Sequence, residues 1–186
     1  MKIAVYCGAS VGKQGIYTQA AENLGLWLVK NHHELVYGGG KIGLMGILSQ
    51  TVLKNGGKAI GVIPEFLKER EIAQSNLTEL HVVQTMVERK ALMADLATAF
   101  IALPGGPGTL EEISEMVSWS RIGQNPYPCV FYNVNHYYDA LGQMYDTMVT
   151  DGFLTAKDRQ KILFSDSLTE IATFIKNYQA PALRQY

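Results

Sequence analysis

Ala99-Phe100-Ile101-Ala102-Leu103-Pro104-Gly105-Gly106-Pro107-Gly108-Thr109-Leu110-Glu111-Glu112 decides the fold of this chain. Ala99–Leu103 is apolar at every position rather than at alternate ones, the pattern of a strand covered on both faces. Such strands belong to parallel sheets, whose neighbours are joined by crossovers, usually helices. The glycines that follow let the backbone turn sharply. After them, Leu110, Ile113, Met116 and Val117 recur at helical spacing, predicting a helix over Leu110–Ser118.

The same rhythm runs outward in both directions. Strands are predicted at Ile3–Cys7, Glu34–Tyr37, Ala59–Ile63, Leu80–Val83, Ala99–Leu103 and Cys129–Tyr132. Helical patterns lie near Ile16–Lys30, Leu44–Asn55, Val87–Leu96, Tyr138–Val149 and Leu168–Tyr178. Strand, helix, strand in that order predicts an α/β fold: a doubly wound, mostly parallel sheet with right-handed crossovers, a Rossmann-like three-layer sandwich. With 186 residues, no internal repeat and no low-complexity linker, residues 1–186 read as one domain. Pro64–Thr78 is the longest irregular stretch, and long ordered loops are often functional.

Composition removes several function classes. A net charge of −1 with no Lys/Arg run argues against a nucleic-acid polymer, whose phosphates need a clustered cationic surface. No segment approaches the ~20 apolar residues of a membrane span. MKIAVYCGAS turns polar too soon for a secretion signal, so a cytoplasmic protein is expected. Cys7 and Cys129 lie far apart within apolar stretches and read as small buried hydrophobes. Without CxxC, and with His32, His33, His81 and His136 at no partner spacing, no metal site is expected.

Three polar, glycine-bearing clusters follow strands: Gly8-Ala9-Ser10, Gly38-Gly39-Gly40 and Pro104–Thr109. In open α/β sheets the ligand crevice lies beyond the carboxyl ends of the strands, so the three loops predict one site. Gly105, Gly106, Pro107, Gly108 and Thr109, opening a helix, form a natural anion cradle of backbone N–H groups. The plainer alternative is a tight turn in which Thr109 and Glu112 form an S/T-x-x-E capping box. No GKS or GKT occurs, which excludes a Walker-type triphosphate loop. Gly38–Gly43 matches GxGxxG, but the acid expected about 20 residues on is absent, with Lys58 and Ala59 there and Glu65 too late. A nicotinamide-dependent oxidoreductase is therefore disfavoured.

Thr85-Met86-Val87-Glu88 reads as a second capping box, which places Arg89 and Lys90 in a helix's first turn. Cations are disfavoured there, so an anion is needed to offset them. Either Arg89 folds back on Glu88 or Glu71, or it faces a bound phosphate, ribose or catalytic carboxylate. Glu112 lies one turn beyond Gly108 and Thr109, on the helix face nearest the cradle, whereas Glu111 is rotated away. Of the two, Glu112 is the better candidate for chemistry.

The set VYGGGKIGLMG, MVERK and PGGPGTLEE strongly resembles the LONELY GUY family of nucleoside 5′-monophosphate phosphoribohydrolases, and the likeness runs from CGAS through SWSRIG to DGF at Asp151. The resemblance implies a hydrolase that cleaves the N-glycosidic bond of adenine or N6-modified adenine nucleoside 5′-monophosphates, such as AMP, as in cytokinin activation. It implies Arg89 and Glu112 as the essential pair and Gly106–Glu112, with Leu110 and Glu111, as the phosphate- and ribose-binding loop. Glu71, Lys90 and Ser118 fall at other ligand positions of the family, and Ser10, Gly39 and Gly40 are counted with the site. A homodimer and no cofactor are implied.

Three positions depart from the pattern: Ala9 for a frequent Ser, Ser118 for Thr and Val87 for His. Relatives carry the historical name lysine decarboxylase, but that chemistry needs pyridoxal phosphate on a lysine, for which the sequence offers no site. A non-catalytic nucleotide or cofactor carrier of the same fold is the alternative, and the presence of both Arg89 and Glu112 argues against it.

Overall fold

The computed structural model describes residues 1–68, 74 and 76–182. In chain order the elements are β1 (Lys2–Tyr6), α1 (Gly15–Lys30), β2 (Glu34–Tyr37), α2 (Gly43–Lys54), β3 (Ala59–Pro64) and α3 (Glu65–Lys68). They continue as β4 (Glu79–Val83), α4 (Met86–Leu96), β5 (Phe100–Ala102), α5 (Pro107–Arg121), β6 (Cys129–Tyr132) and α6 (Asp139–Thr150). A short α7 (Ala156–Arg159), β7 (Ile162–Ser165) and α8 (Leu168–Asn177) complete the order. The strands form one sheet in the order β4-β3-β2-β1-β5-β6-β7, and every pairing is parallel.

Each face of the sheet is covered, which is why the strands are apolar on successive residues. Leu24 and Leu28 of α1, Leu44, Leu48 and Val52 of α2 and Ile171 of α8 pack on one face with Ile3, Val5, Leu35 and Ile101. On the other, Met93 of α4, Ile113, Met116 and Val117 of α5 and Tyr145 of α6 meet Ala4, Tyr6, Val36, Phe100 and Phe131. This is the predicted three-layer sandwich. Cys7 and Cys129 are buried free thiols, as expected.

The topology fixes where a ligand can sit. The winding reverses between β1 and β5, so the loops after these strands open beside each other and leave a crevice. They touch: the Gly8 N–H donates to Pro104 O at 3.2 Å, and the Leu44 N–H at the start of α2 donates to Gly8 O at 3.0 Å. Gly43 permits this approach, since a Cβ there would stand 2.3 Å from the carbonyl carbon of Ala9 and its φ is +64°. All three glycine-bearing clusters thus meet on one edge.

Three differences from the sequence reading have local causes. The helix expected from Leu110 begins at Pro107, whose fixed φ suits the first helical position, and Gly106 is the N-cap. Thr109 therefore lies inside the first turn, and the Thr109/Glu112 capping box does not form. The box at Thr85 does, with the Glu88 N–H donating to Thr85 Oγ1 at 3.1 Å. β7 was not predicted: its four residues follow a charged stretch and are too short for periodicity to show.

Candidate active site

Two neighbouring helices supply the charged pair. α4, capped by Thr85, carries Arg89 at the end of its first turn; α5 carries Glu112 one turn beyond Gly108. Arg89 Nη1 stands 3.1 Å from Glu112 Oε1, and both side chains are about nine-tenths buried, at 10% and 9% exposure. Arg89 does not fold back on Glu88, which instead accepts the Gln84 N–H at 3.0 Å. Glu71 lies outside the described residues.

The guanidinium has further contacts. Nε donates to Val62 O at 3.2 Å, at the carboxyl end of β3, and Nη1 also lies 3.8 Å from Met86 Sδ. Its Nη2 end points at Gly38: a Cβ there would be 2.1 Å from Nη2 and 3.3 Å from Cζ. Gly38 was passed over in favour of Gly39 and Gly40, yet it is the first glycine after β2 and so the nearest to the strand ends. Gly39 and Gly40 are buried beside it without lining the cavity. Gly39 instead accepts the Gln74 N–H on its carbonyl at 3.1 Å.

A cavity of about 200 Å³ opens at this pair, walled by Tyr6, Cys7, Gly38, Arg89, Gly106, Gly108, Thr109 and Glu112 among others. Its only charged lining residues among those described are Arg89 and Glu112. Burial pushes the Tyr6 hydroxyl and the Cys7 thiol up, and the negative Glu112 carboxylate pushes them further. Both stay neutral, so Tyr6 and Cys7 offer hydrogen bonds and shape rather than an ionised nucleophile.

At the mouth of the cavity α5 presents its N-terminus. Pro107 has no N–H, and Gly106 makes no side-chain cap. The N–H groups of Gly108 and Thr109 have no intrahelical partner by helix geometry, and they face a site already favourable to an anion. Gly105 wedges the loop into place: a Cβ on it would be 2.2 Å from Thr109 Oγ1 and 2.9 Å from Gly8 N. A second cavity of about 220 Å³ adjoins on the far side of Gly106, walled by Gly8, Ser10, Tyr17, Gly105 and Tyr137. Ser10 belongs to this second space rather than to the first.

Other expected site residues lie further out. Lys90 points away from the cavity and is held between Glu111 and Glu115 of α5, 3.2 Å from the latter. The Glu111 hydrogen bond is the main cause of the upward shift in its pKa, with Glu115 adding to it. Glu111 is exposed on the same bridge, and Leu110 and Ser118 are exposed on the outer surface of α5. Glu115 was not singled out from the sequence, although it lies four residues from Glu111 and hence on the same helix face. A larger cavity of about 570 Å³ at the far end of α5, beside Arg121, Phe153 and Lys157, contains none of the expected residues.

The chain is similar to proteins of known activity. The family model described as possible lysine decarboxylase matches residues 45–175. A cytokinin riboside 5′-monophosphate phosphoribohydrolase of Rhodococcoides fascians is 46% identical over 162 residues, 87% of this chain and 82% of that one. A probable enzyme of the same name from Oryza sativa subsp. japonica is 43% identical over 177 residues, 95% of this chain and 79% of that one. The fold is shared with the molybdenum cofactor carrier protein of Chlamydomonas reinhardtii, at a TM-score of 0.69, 16% identity and coverage of 95% and 98%.

Proposed function

Because the chain belongs to the LONELY GUY family of cytokinin riboside 5′-monophosphate phosphoribohydrolases, we propose that it hydrolyses the N-glycosidic bond of adenine or N6-modified adenine nucleoside 5′-monophosphates. The products are the free base and ribose 5-phosphate. One observation carries the assignment of roles: a buried Arg89–Glu112 pair beside the uncapped N-terminus of α5.

Breaking a ribosyl–base bond builds positive charge on the sugar, as in glycoside hydrolysis generally. Glu112 is assigned to the face of C1′, where its carboxylate stabilises that charge and accepts a proton from the attacking water. Water oxygen bonds to C1′, the C1′–N bond breaks, and its electron pair leaves with the base, which takes a proton from solvent. The α5 N-terminus binds the 5′-phosphate, anchoring the substrate remotely from the broken bond. Arg89 acts through Glu112: with Nε on Val62 O and Nη1 on Glu112, it holds the carboxylate ionised and in place.

The decarboxylase description of the wider family fits this chain poorly. A Schiff-base lysine must be available as the free amine. Lys90, next to Arg89, is instead kept charged by two carboxylates. The carrier reading rests on likeness of fold at 16% identity, against 43–46% for the hydrolases.

The proposal extends to a cytoplasmic homodimer acting on mononucleotides rather than on polymers. Val87 on α4 and Leu110 on α5 are 74% and 40% exposed beside the site, which supports a covering partner copy. No described helix is long and apolar enough to cross a membrane. The test is product chromatography after incubation with AMP and with its N6-isopentenyl derivative, using Glu112→Gln as control. Base released by wild type and not by the variant supports the reading; equal rates overturn it. Light scattering of the same sample reads the assembly, and a monomer mass sinks the dimer.

A further inference from the structure

We infer that Tyr137 is a positioning residue that locks the orientation of the Gly105–Gly106 peptide and thereby keeps the anion cradle open. This rests on the reading of the α5 N-terminus as the phosphate site.

The Tyr137 hydroxyl donates to Gly105 O at 2.6 Å, across 32 residues of sequence. In a trans peptide the C=O and the next N–H point in opposite directions. Capturing Gly105 O therefore aims the Gly106 N–H away from Tyr137. Tyr137 lines only the second cavity, whereas Gly106 lines both, so the N–H is turned toward the space that holds Arg89 and Glu112. Two consecutive glycines reach conformations closed to other residues, and a flip of this one peptide is easy without a latch. Flipped, it would present a carbonyl oxygen to the anion in place of a donor.

The segment that carries Tyr137 is built to hold it still. Asn135 and His136 adopt φ of +54° and +59°, a left-handed conformation uncommon outside glycine. Strain of this kind gathers where surrounding contacts over-determine a functional geometry. Those contacts are present: Asn135 Nδ2 donates to Gln14 Oε1 at 2.8 Å, and the Tyr138 N–H donates to Asn133 Oδ1 at 2.7 Å. The Tyr137 ring is met edge-on by Tyr17 and Tyr138, with centroids 5.8 and 5.0 Å away.

Its neighbour provides a matched control. The buried Tyr138 hydroxyl donates to Leu103 O at 2.7 Å, two residues earlier on the same strand-to-loop segment. Both tyrosines lose one hydrogen bond to a carbonyl on substitution by Phe, but only Tyr137 governs a peptide of the cradle.

The experiment compares Tyr137→Phe and Tyr138→Phe with wild type in calorimetric binding of ribose 5-phosphate, in steady-state cleavage of AMP, and in melting temperature. Tyr137→Phe should raise the Kd for ribose 5-phosphate and the KM for AMP about tenfold while kcat stays within about twofold, the loss of one hydrogen bond acting on binding alone. Tyr138→Phe should lower the melting temperature and leave the Kd unchanged. A Tyr137→Phe protein that binds ribose 5-phosphate as tightly as wild type, or a Tyr138→Phe protein that loses affinity equally, overturns the inference. Because the Kd is read without turnover, a wild type that binds ribose 5-phosphate but releases no base counts against the hydrolase reading alone.

Discussion

The Arg89 guanidinium occupies the space that any side chain on Gly38 would need: a Cβ at Gly38 would stand 2.1 Å from Arg89 Nη2 and 3.0 Å from Met45 Sδ. Gly38→Ala should therefore push Arg89 off Glu112 without touching either residue. A displacement of about 1 Å at a catalytic group can cost about 10²-fold, so kcat/KM for AMP should fall by about that factor. Steady-state kinetics check this, and a variant within about threefold of wild type would show that the Arg89 position is unimportant.

Removing one partner of a buried ion pair leaves the other charge uncompensated, at about 3–5 kcal/mol. Arg89→Met should lose about that much stability, because Glu112 is buried with it. The double variant Arg89→Met/Glu112→Gln should recover part of the loss, since its remaining group is neutral. Urea unfolding of the two proteins checks the order, and a double variant less stable than Arg89→Met would contradict it.

Glu112→Gln keeps the shape of the side chain and removes its charge. As the carboxylate that receives the proton of water, it should contribute about 10²–10⁴-fold to kcat. KM should change little, because the phosphate is held elsewhere. Product quantification over long incubation checks this, and a rise in KM with unchanged kcat would move Glu112 from chemistry to binding.

Lys90 makes a prediction about alkaline stability. Its pKa is raised above the ordinary 10.5 by Glu111 first and Glu115 second. A folded-state pKa above the unfolded one means that the contribution is complete below the unfolded value and is lost as pH rises through the folded one. Wild type should therefore melt higher than Lys90→Met at pH 8, with the gap closing above about pH 10.5. Melting curves of both proteins between pH 8 and 11.5 check the sign; a gap that widens with pH would contradict it.

Burial pushes the Cys129 thiol up to about 12 and the Cys7 thiol higher still. Both should be inert to a thiol-directed disulfide reagent at pH 8 in the folded protein and react fully in denaturant. Fast labelling of Cys7 in the native state would mean that the cavity floor opens, and of Cys129 that the core beneath α5 does.

Much of the molecule was legible because its signals are local. Continuous apolar runs such as Ala99–Leu103 need no partner to announce a doubly covered strand, and they implied the parallel sheet and its layers. Each glycine cluster followed a strand, which by itself places a site at one sheet edge. Arg89 was conspicuous as a cation in a helix's first turn, and Glu112 as the carboxylate one turn past the cradle.

What only the tertiary structure decided depends on contacts between distant segments. Gly38 and Arg89 are 51 positions apart, and no pattern in either neighbourhood says that the guanidinium of one fills the space beside the other. That Lys90 turns from the cavity to Glu111 and Glu115 depends on the spacing of α4 and α5, which helical periodicity leaves open. Tyr137 reaches Gly105 from a loop whose left-handed residues are an Asn and a His rather than the glycines that would have marked it. Propensity and periodicity report on a residue's own backbone and face, so they determine the sheet, the helices and the edge that holds the site. Which side chains meet there is set by the packing of helices on that sheet, and this is information carried only in three dimensions.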